Sequence, residues 1–274
     1  MNIYNSLNHI NFNKKITTPV VEIPNYLLTS NINCCWASRL LISSYTGPIF
    51  YIRRSDNTFA NIYTDSTQSW VTLGPNNTLQ SYSSWITGYI GYINIWYDQS
   101  GKNNHLKNIT NNTTQPTLVA VNGKYVVNWI NTNSTVLTMT TTLTVNTIFT
   151  HFYNTNSAYG SIISSGINDD REQRFGGGGA LSINGDNNTS DWFNFSTGTK
   201  ISYANGISTL TLSGLNTWQL LSLSVQTPPF FFSIVGRDGY SNTRSINGYM
   251  SEMILHNKQM NSTDMLSYYN NRIF

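Results

Sequence analysis

Short apolar runs separated by polar clusters make up most of the chain after residue 47. The runs are rich in β-branched and aromatic residues, and clusters of Asn, Gly, Ser and Asp lie between them, which is the pattern of strands joined by turns. No helical period intervenes, so the pattern favours an antiparallel sandwich or barrel over a parallel α/β sheet. The predicted strands are PIFYIRR, YINIWYD, KYVVNWI, NTIFTHFY, GSIISSG, TWQLLSLSVQ, FFFSIVG and GYMSEMILHN.

Two segments follow a helical period instead. In CCWASRLLISSY, over residues 34–45, large apolar residues recur at helical spacing, which predicts a short amphipathic helix. Near the end of the chain, residues 262–273 predict a second short helix. Asn261 or Ser262 can cap its N-terminus, and Asp264 in its first turn faces the positive end of the helix dipole.

The domain organisation follows from where these patterns begin. Residues 1–30 show no clear period and carry two prolines, so they are predicted to form an extended N-terminal arm. No stretch after residue 30 looks like a linker between two cores, and no fixed-period repeat is visible. Residues 31–274 are therefore predicted to form a single domain.

Composition and charge exclude several classes of function. The net charge is only +3, with 10% charged residues, and no Lys/Arg-rich run marks a nucleic-acid partner. No apolar run is long enough to cross a membrane. The N-terminus has no basic segment followed by an apolar one, so neither a signal peptide nor membrane insertion is expected.

The two cysteines of the chain, Cys34 and Cys35, are adjacent. Adjacent cysteines can form a strained vicinal disulfide. Two buried thiols in a reducing compartment are the favoured interpretation, because cysteine is among the most buried residue types and intracellular disulfides are rare.

The segment INIWYDQSGKNNHLKN sets one carboxylate, Asp98, between an aromatic strand and a turn. An Asp followed by Gln99, Ser100 and Gly101 suits an Asx-turn, in which the carboxylate accepts backbone N–H groups two residues on and the glycine supplies a left-handed conformation. We therefore interpret Asp98 to Gly101 as organising the loop. The alternative role for Asp98 is that of an acid in contact with substrate.

Three stretches together resemble a known family. SRLLISSYTGPIFYIRRSDNTFANIYTD is similar to the opening of domains related to the catalytic domain of α-L-arabinofuranosidase B, and WYDQSGKNNHL resembles that family's signature string. INGYMSEMILHNKQMNSTDMLSYYNNRI resembles the closing strand and helix of laminin-G-like, concanavalin A-like jelly rolls. The resemblance implies a jelly-roll β-sandwich of two antiparallel sheets packed face to face.

The resemblance also implies glycosidase chemistry, which requires two carboxylates that flank the scissile bond. The candidates in this chain are Asp98, Glu172, Asp238 and Glu252. Glu172 stands in the charged segment NDDREQRFGGGG, where a solvated ion-pair cluster is the simpler interpretation. Glu252 stands in a predicted strand, between Met250 and Ile254.

The family's nucleophile is a Glu on a strand after a Gly-containing turn, and its proton donor is an Asp in a Gly-Asp turn. The best match to the first, GGGGALSINGD, places Leu181 where the Glu is expected. VGRDGYSN places Asp238 at the second, with Arg237 in place of the glycine. An adjacent guanidinium lowers the pKa of a carboxyl group, the wrong direction for a proton donor.

In this alignment one acid of the pair is absent, and no catalytic residue is assigned. Related domains also occur as non-enzymatic modules in particles of phages and large DNA viruses. We accordingly predict a non-enzymatic virion protein, capsid-associated or part of a fibre. It would be made in the host cytoplasm and would associate with other virion proteins or with itself. The alternatives are a glycoside hydrolase of the α-L-arabinofuranosidase type and a carbohydrate-binding module for surface glycans.

Candidate ligand contacts are few. Trp85 and Trp192, which polar residues flank, and His105 are the candidates for contact with sugar rings. Asp186 and Asp191 in DNNTSD offer oxygen ligands to Ca²⁺, but the segment lacks the Gly and the bidentate Glu of an EF-hand loop, so a polar turn is favoured. No other metal or cofactor is predicted.

Overall fold

The computed structural model describes residues 32–64, 69–73, 78–109, 112–130, 135–155, 160–164, 172–175, 197–209, 215–227, 230–237 and 245–271. These residues form eighteen strands and two short helices, and every pairing between their strands is antiparallel. The predicted arm, residues 1–30, lies outside them.

Ten strands form the first sheet. In spatial order they are β5 (Leu79–Ser81), β4 (Trp70–Leu73), β3 (Phe59–Thr64), β2 (Phe50–Arg54), β6 (Gly91–Trp96), β7 (Leu106–Lys107), β10 (Leu137–Val145), β17 (Phe230–Val235), β12 (Gly160–Ser164) and β13 (Glu172–Phe175).

The second sheet runs in the order β15 (Ile207–Ser208), β14 (Thr197–Ala204), β16 (Trp218–Thr227), β11 (Thr147–Asn154) and β18 (Gly248–His256). Two strands share the outer edge of β18, namely β1 (Ile32–Ala37) and β9 (Lys124–Trp129). The hairpin of β8 (Thr117–Val121) with β9 connects the sheets, because β8 also pairs with β6.

Two apolar clusters hold this arrangement together. The larger draws residues from both sheets and includes the fully buried Trp36, Trp96 and Trp129. The smaller lies under the C-terminal helix α2 (Ser262–Asn270), with Phe149 and Tyr268 at its centre and their rings 4.5 Å apart. Burying a large apolar side chain contributes about 1.5–3 kcal/mol, so these clusters supply most of the driving force for folding.

The expected antiparallel β architecture is confirmed, and each of the eight predicted strand segments contains a strand. The helix predicted for residues 34–45 is wrong, since residues 32–37 form strand β1. Cys34 belongs to the larger cluster and Cys35 to the smaller. Because both faces of this strand are covered, its sequence is a continuous apolar run. Periodicity alone cannot distinguish such a run from a buried helix.

The two helices observed are α1 (Tyr82–Ile86) and α2. The first escaped prediction because a single helical turn carries little periodicity; Ser81 caps it by accepting a hydrogen bond from the N–H of Ser84 at 3.2 Å. The predicted C-terminal helix is confirmed. Its cap is Asn261, whose side-chain oxygen accepts from the N–H of Asp264 at 2.9 Å.

Candidate functional site

The carboxylate of Asp98 is 1% exposed and accepts four hydrogen bonds. One oxygen accepts from the backbone N–H groups of Cys35 and Ser100, both at 2.9 Å. The other accepts from the Ser100 hydroxyl at 2.8 Å and from the N–H of Asn104 at 3.0 Å. These bonds occupy the accepting positions of a carboxylate. Asp98 therefore holds its loop against β1 and has no position left for a substrate.

The residues around Asp98 brace the same loop. The side chain of Gln99 accepts from the N–H of Leu41 at 2.8 Å and donates to the carbonyl of Arg39 at 2.9 Å. Gly101 has φ +81°, a conformation that favours glycine. His105 accepts from the N–H of Asp98 through Nδ1 at 3.1 Å, and burial lowers its pKa. The imidazole of His105 thus takes part in the loop's own hydrogen bonding.

The carboxylate of Glu252 is likewise committed to internal contacts. It is 1% exposed, accepts from Nε of Arg39 at 2.9 Å and accepts from the hydroxyl of Tyr268. Tyr268 belongs to α2, so the pair fastens the helix to the second sheet. Two of the four candidate acids, Asp98 and Glu252, are therefore structural.

The adjacent cysteines are free thiols, and both are buried. Burial raises the pKa of each thiol, and the negative charge of Asp98 raises it further. Because Cys34 and Cys35 belong to clusters on opposite faces of β1, their side chains point apart, as successive residues of a strand do.

A row of paired positions crosses five neighbouring strands of the first sheet. Lys107 pairs with Thr138, Thr138 with Ile234, Ile234 with Ser164, and Ser164 with Glu172. Positions in one such row lie on the same face, with strands about 4.8 Å apart. The next row, Leu137–Val235–Ile163, is fully buried in the larger cluster. The row that ends at residue 172 therefore lies on the face away from that core.

The segment that leads to Asp238 approaches the same end of the row. The hydroxyl of Ser164, the register partner of Glu172, donates to the backbone carbonyl of Arg237 at 3.1 Å. Asp238 follows Arg237 directly in the chain and lies outside the described residues. The backbone thus brings residue 172 and the residue before Asp238 to the same edge of the sheet.

A groove of about 350 Å³ opens on this side of the molecule. Its lining combines two cationic side chains with hydroxyl and amide groups, and includes Lys107, Asn108, Thr114, Thr138, Thr140 and Arg237. Lys107 and Thr138 also belong to the row that ends at residue 172. Arg237, whose carbonyl accepts from Ser164, thus places one end of the groove near the strand that pairs with residue 172.

Of the remaining ligand candidates, the structure describes Trp85. Trp85, a candidate for contact with sugar rings, is only 8% exposed, and the guanidinium of Arg54 lies over its ring at 5.0 Å. Trp192, Asp186 and Asp191 lie outside the described residues. Within the part of the chain that the structure describes, no three His, Cys, Asp or Glu side chains come together as a metal site, and no helix is long and apolar enough to span a membrane.

A comparison of the sequence with models of known protein families identifies the family of this chain. The sequence model of the catalytic domain of α-L-arabinofuranosidase B matches residues 29–174, just over half of the chain. The chain belongs to this family. The matched region runs from the segment before β1 to β13 and includes both Asp98 and Glu172. The comparison with curated protein sequences finds no match.

Solved structures of similar shape are glycosidases. One is a GH54 α-L-arabinofuranosidase soaked with a cyclic sulfate inhibitor, 16% identical, covering 87% of this chain and 61% of that one, with a TM-score of 0.52. Another is a glutamate-to-glutamine variant of a GH54 α-L-arabinofuranosidase soaked with 4-nitrophenyl α-L-arabinofuranoside, 16% identical, covering 88% and 62%, with a TM-score of 0.53. At this identity the likeness shows the fold, a jelly-roll β-sandwich, and the chain spans about three fifths of their length.

These findings overturn the prediction of a non-enzymatic virion protein. The matched family is that of a glycosidase catalytic domain, and nothing in the comparisons points to a virus particle, a capsid or a fibre. The overturned prediction had rested on placing Leu181 where the family's catalytic glutamate is expected. The family match ends at residue 174, before Leu181, and contains Glu172 at the start of a strand.

Proposed function

We propose that this protein is a glycoside hydrolase that cleaves α-L-arabinofuranosides. The observation that carries the proposal is the match of residues 29–174 to the catalytic domain of α-L-arabinofuranosidase B. The jelly-roll sandwich shared with α-L-arabinofuranosidases over 87–88% of the chain supports it.

We infer that Glu172 and Asp238 are the two catalytic carboxylates. The hydrogen bonds of Asp98 and the ion pair of Glu252 engage both of those acids internally, which leaves the other two of the four candidates. Ser164 connects these two positions, since it pairs with Glu172 and donates to the carbonyl of the residue before Asp238.

In this assignment Asp238 donates a proton to the leaving-group oxygen. Glu172 acts on the anomeric carbon, either by direct attack or by activating water. Both carboxylates are needed. One must protonate the leaving-group oxygen, and the other must attack the oxocarbenium-like anomeric carbon, or direct a water molecule to it, from the opposite side. The loss of either acid is expected to remove most of the rate, since general acid–base catalysis alone contributes about 10²–10⁴-fold.

The test is release of nitrophenol from 4-nitrophenyl α-L-arabinofuranoside by the purified chain. Glu172→Gln and Asp238→Asn are each expected to lower kcat/KM by at least about a hundredfold. Glu22→Gln, which precedes the matched region, and Asp264→Asn, in the first turn of α2, are the matched controls and should retain activity. Full activity in both active-site variants would refute the assignment. No hydrolysis of any arabinofuranoside by the unmodified chain would refute the function.

A further inference from the structure

The groove beside Arg237 carries an excess of positive charge. Lys107 and Arg237 both line it, and no described lining residue is acidic. Among the chain segments that adjoin lining residues in sequence, 110–111 and 131–134 contain no charged residue, and 238–244 contains one acid and one base, Asp238 and Arg244. Two cations that share one cavity repel each other, so the groove is electrostatically complementary to an anion.

The guanidinium of Arg237 has unused hydrogen-bonding capacity. Its Nε is buried and lacks a hydrogen-bond partner among the described residues. Leaving a buried donor unsatisfied costs about 1–3 kcal/mol, and more for a charged group. A carboxylate is the natural partner, since its two oxygens match two parallel N–H groups of a guanidinium.

The backbone holds Arg237 in place before any ligand arrives. Its carbonyl accepts from the Ser164 hydroxyl at 3.1 Å, and the preceding N–H, that of Gly236, donates to the carbonyl of Ile162 at 2.8 Å. Arg237 also forms an isolated bridge with Ser245. These contacts fix the backbone from which the Arg237 side chain extends.

The rest of the lining combines Ile109 and Val136 with polar side chains that are already hydrogen-bonded. The side-chain amide of Asn108 donates to the Thr114 hydroxyl and to the carbonyl of Val136, both at 3.0 Å. The Thr138 hydroxyl donates to the carbonyl of Lys107 at 3.2 Å. Each of these threonine oxygens keeps accepting capacity for a sugar hydroxyl. The volume of about 350 Å³ lies in the range of small-molecule sites.

We propose that this groove is a subsite for a uronosyl residue, a sugar whose carboxylate pairs with Arg237 and Lys107. The choice of a sugar rather than another organic anion rests on the proposed function, which makes the substrate a glycan. The protein would then cleave arabinofuranosyl groups from a glycan that carries acidic sugars nearby.

The subsite also accounts for an arginine next to the proposed proton donor. A neighbouring guanidinium favours the ionised form of Asp238, which opposes proton donation. A substrate carboxylate bound to Arg237 offsets that charge. Acidic glycans are therefore expected to be the better substrates as well as the better ligands.

The test is isothermal titration of the full chain with two disaccharides, glucuronosyl-xylose and glucosyl-xylose. They differ in whether C6 is a carboxylate or an alcohol. The uronosyl compound is expected to bind at least about tenfold more tightly, and added salt should weaken its binding. Lys107→Met and Arg237→Met should each weaken it by about tenfold or more, because hydrogen bonds to charged groups are lost. Lys124→Met, which removes a lysine outside the groove, is the matched control.

Equal affinity for the two disaccharides would overturn the proposal, and that comparison needs no variant. So would tight binding of the 6-sulfated glucosyl compound without binding of the uronosyl one. If circular dichroism shows that Arg237→Met does not fold, the affinities of Arg237→Lys and Lys107→Met for the uronosyl compound still test the subsite. Titration detects binding without bond cleavage. Arabinofuranoside hydrolysis without uronosyl binding therefore refutes only the subsite, and uronosyl binding without hydrolysis refutes only the proposed function.

Discussion

The hydroxyl of Tyr268 donates a hydrogen bond to the buried carboxylate of Glu252. This contact joins the C-terminal helix to the second sheet, and Nε of Arg39 completes the charge pairing from the other side at 2.9 Å. Glu252 and Tyr268 are each 1% exposed. The contact is therefore shielded from water. A hydrogen bond to a charged group stabilises the fold more when it is buried than when it is exposed to solvent.

Tyr268→Phe is expected to lower the free energy of unfolding by about 1.5–3 kcal/mol, since it removes a hydrogen bond to a charged acceptor and changes little else. Urea denaturation followed by fluorescence measures the effect. Tyr269→Phe removes a hydroxyl from the same helix and should change stability by less than about 0.5 kcal/mol. Equal effects of the two substitutions would contradict the role given to the contact.

Asp98→Asn is expected to destabilise the fold by about 3 kcal/mol or more. An amide nitrogen cannot accept, so N–H groups of Cys35, Ser100 or Asn104 would lose their buried acceptor. The measurement is again the free energy of unfolding. Asp264→Asn, in the first turn of α2, is the control and should cost no more than about 1 kcal/mol through the helix dipole. A stable Asp98→Asn protein that had lost only activity would instead mark Asp98 as an acid that contacts substrate.

The thiols of Cys34 and Cys35 are expected to react slowly with a thiol reagent such as dithionitrobenzoate in the native protein. Burial and the charge of Asp98 raise the pKa of both, so the reactive thiolate is scarce and inaccessible. In denaturant, two thiols per chain should react at once. A count of zero would reveal a vicinal disulfide, and rapid native labelling would show that strand β1 opens readily.

The protein is expected to lose stability as the pH falls below about 6.5. Burial, together with a smaller effect of the charge of Lys102, lowers the pKa of His256 from 6.5 to about 3. Between these two pH values the unfolded chain binds a proton that the folded chain excludes. This histidine's contribution is thus fully present above pH 6.5 and declines towards pH 3.

The corresponding slope is at most about 1.4 kcal/mol per pH unit for one proton. His256→Gln should flatten the decline of unfolding free energy between pH 6.5 and pH 4, even if the variant is less stable at every pH. An unchanged slope in that variant would show that other groups, such as the partly buried His105, carry the pH dependence.

The strand pattern was predictable because short β-branched and aromatic runs carry their own periodicity. Each of the eight predicted segments contains a strand, and the Asn-Gly pairs at 122–123 and 205–206 adopt positive φ between paired strands, as tight hairpins require. Strand β1 was not predictable in this way. Its two faces are covered by different clusters, and that is a property of the packed molecule rather than of six consecutive residues.

The candidate site, like the fold, was predictable from the sequence only in part. By itself, the sequence determined an antiparallel β-fold, the loop that Asp98 organises and a short inventory of carboxylates. Only the tertiary structure decided which of those acids are already engaged, because the partners of Glu252 come from residues 39 and 268. Likewise, only strand register connects Lys107 with Glu172 across five strands. Hydrogen bonding and electrostatics depend on distance in space, and local sequence does not carry that distance.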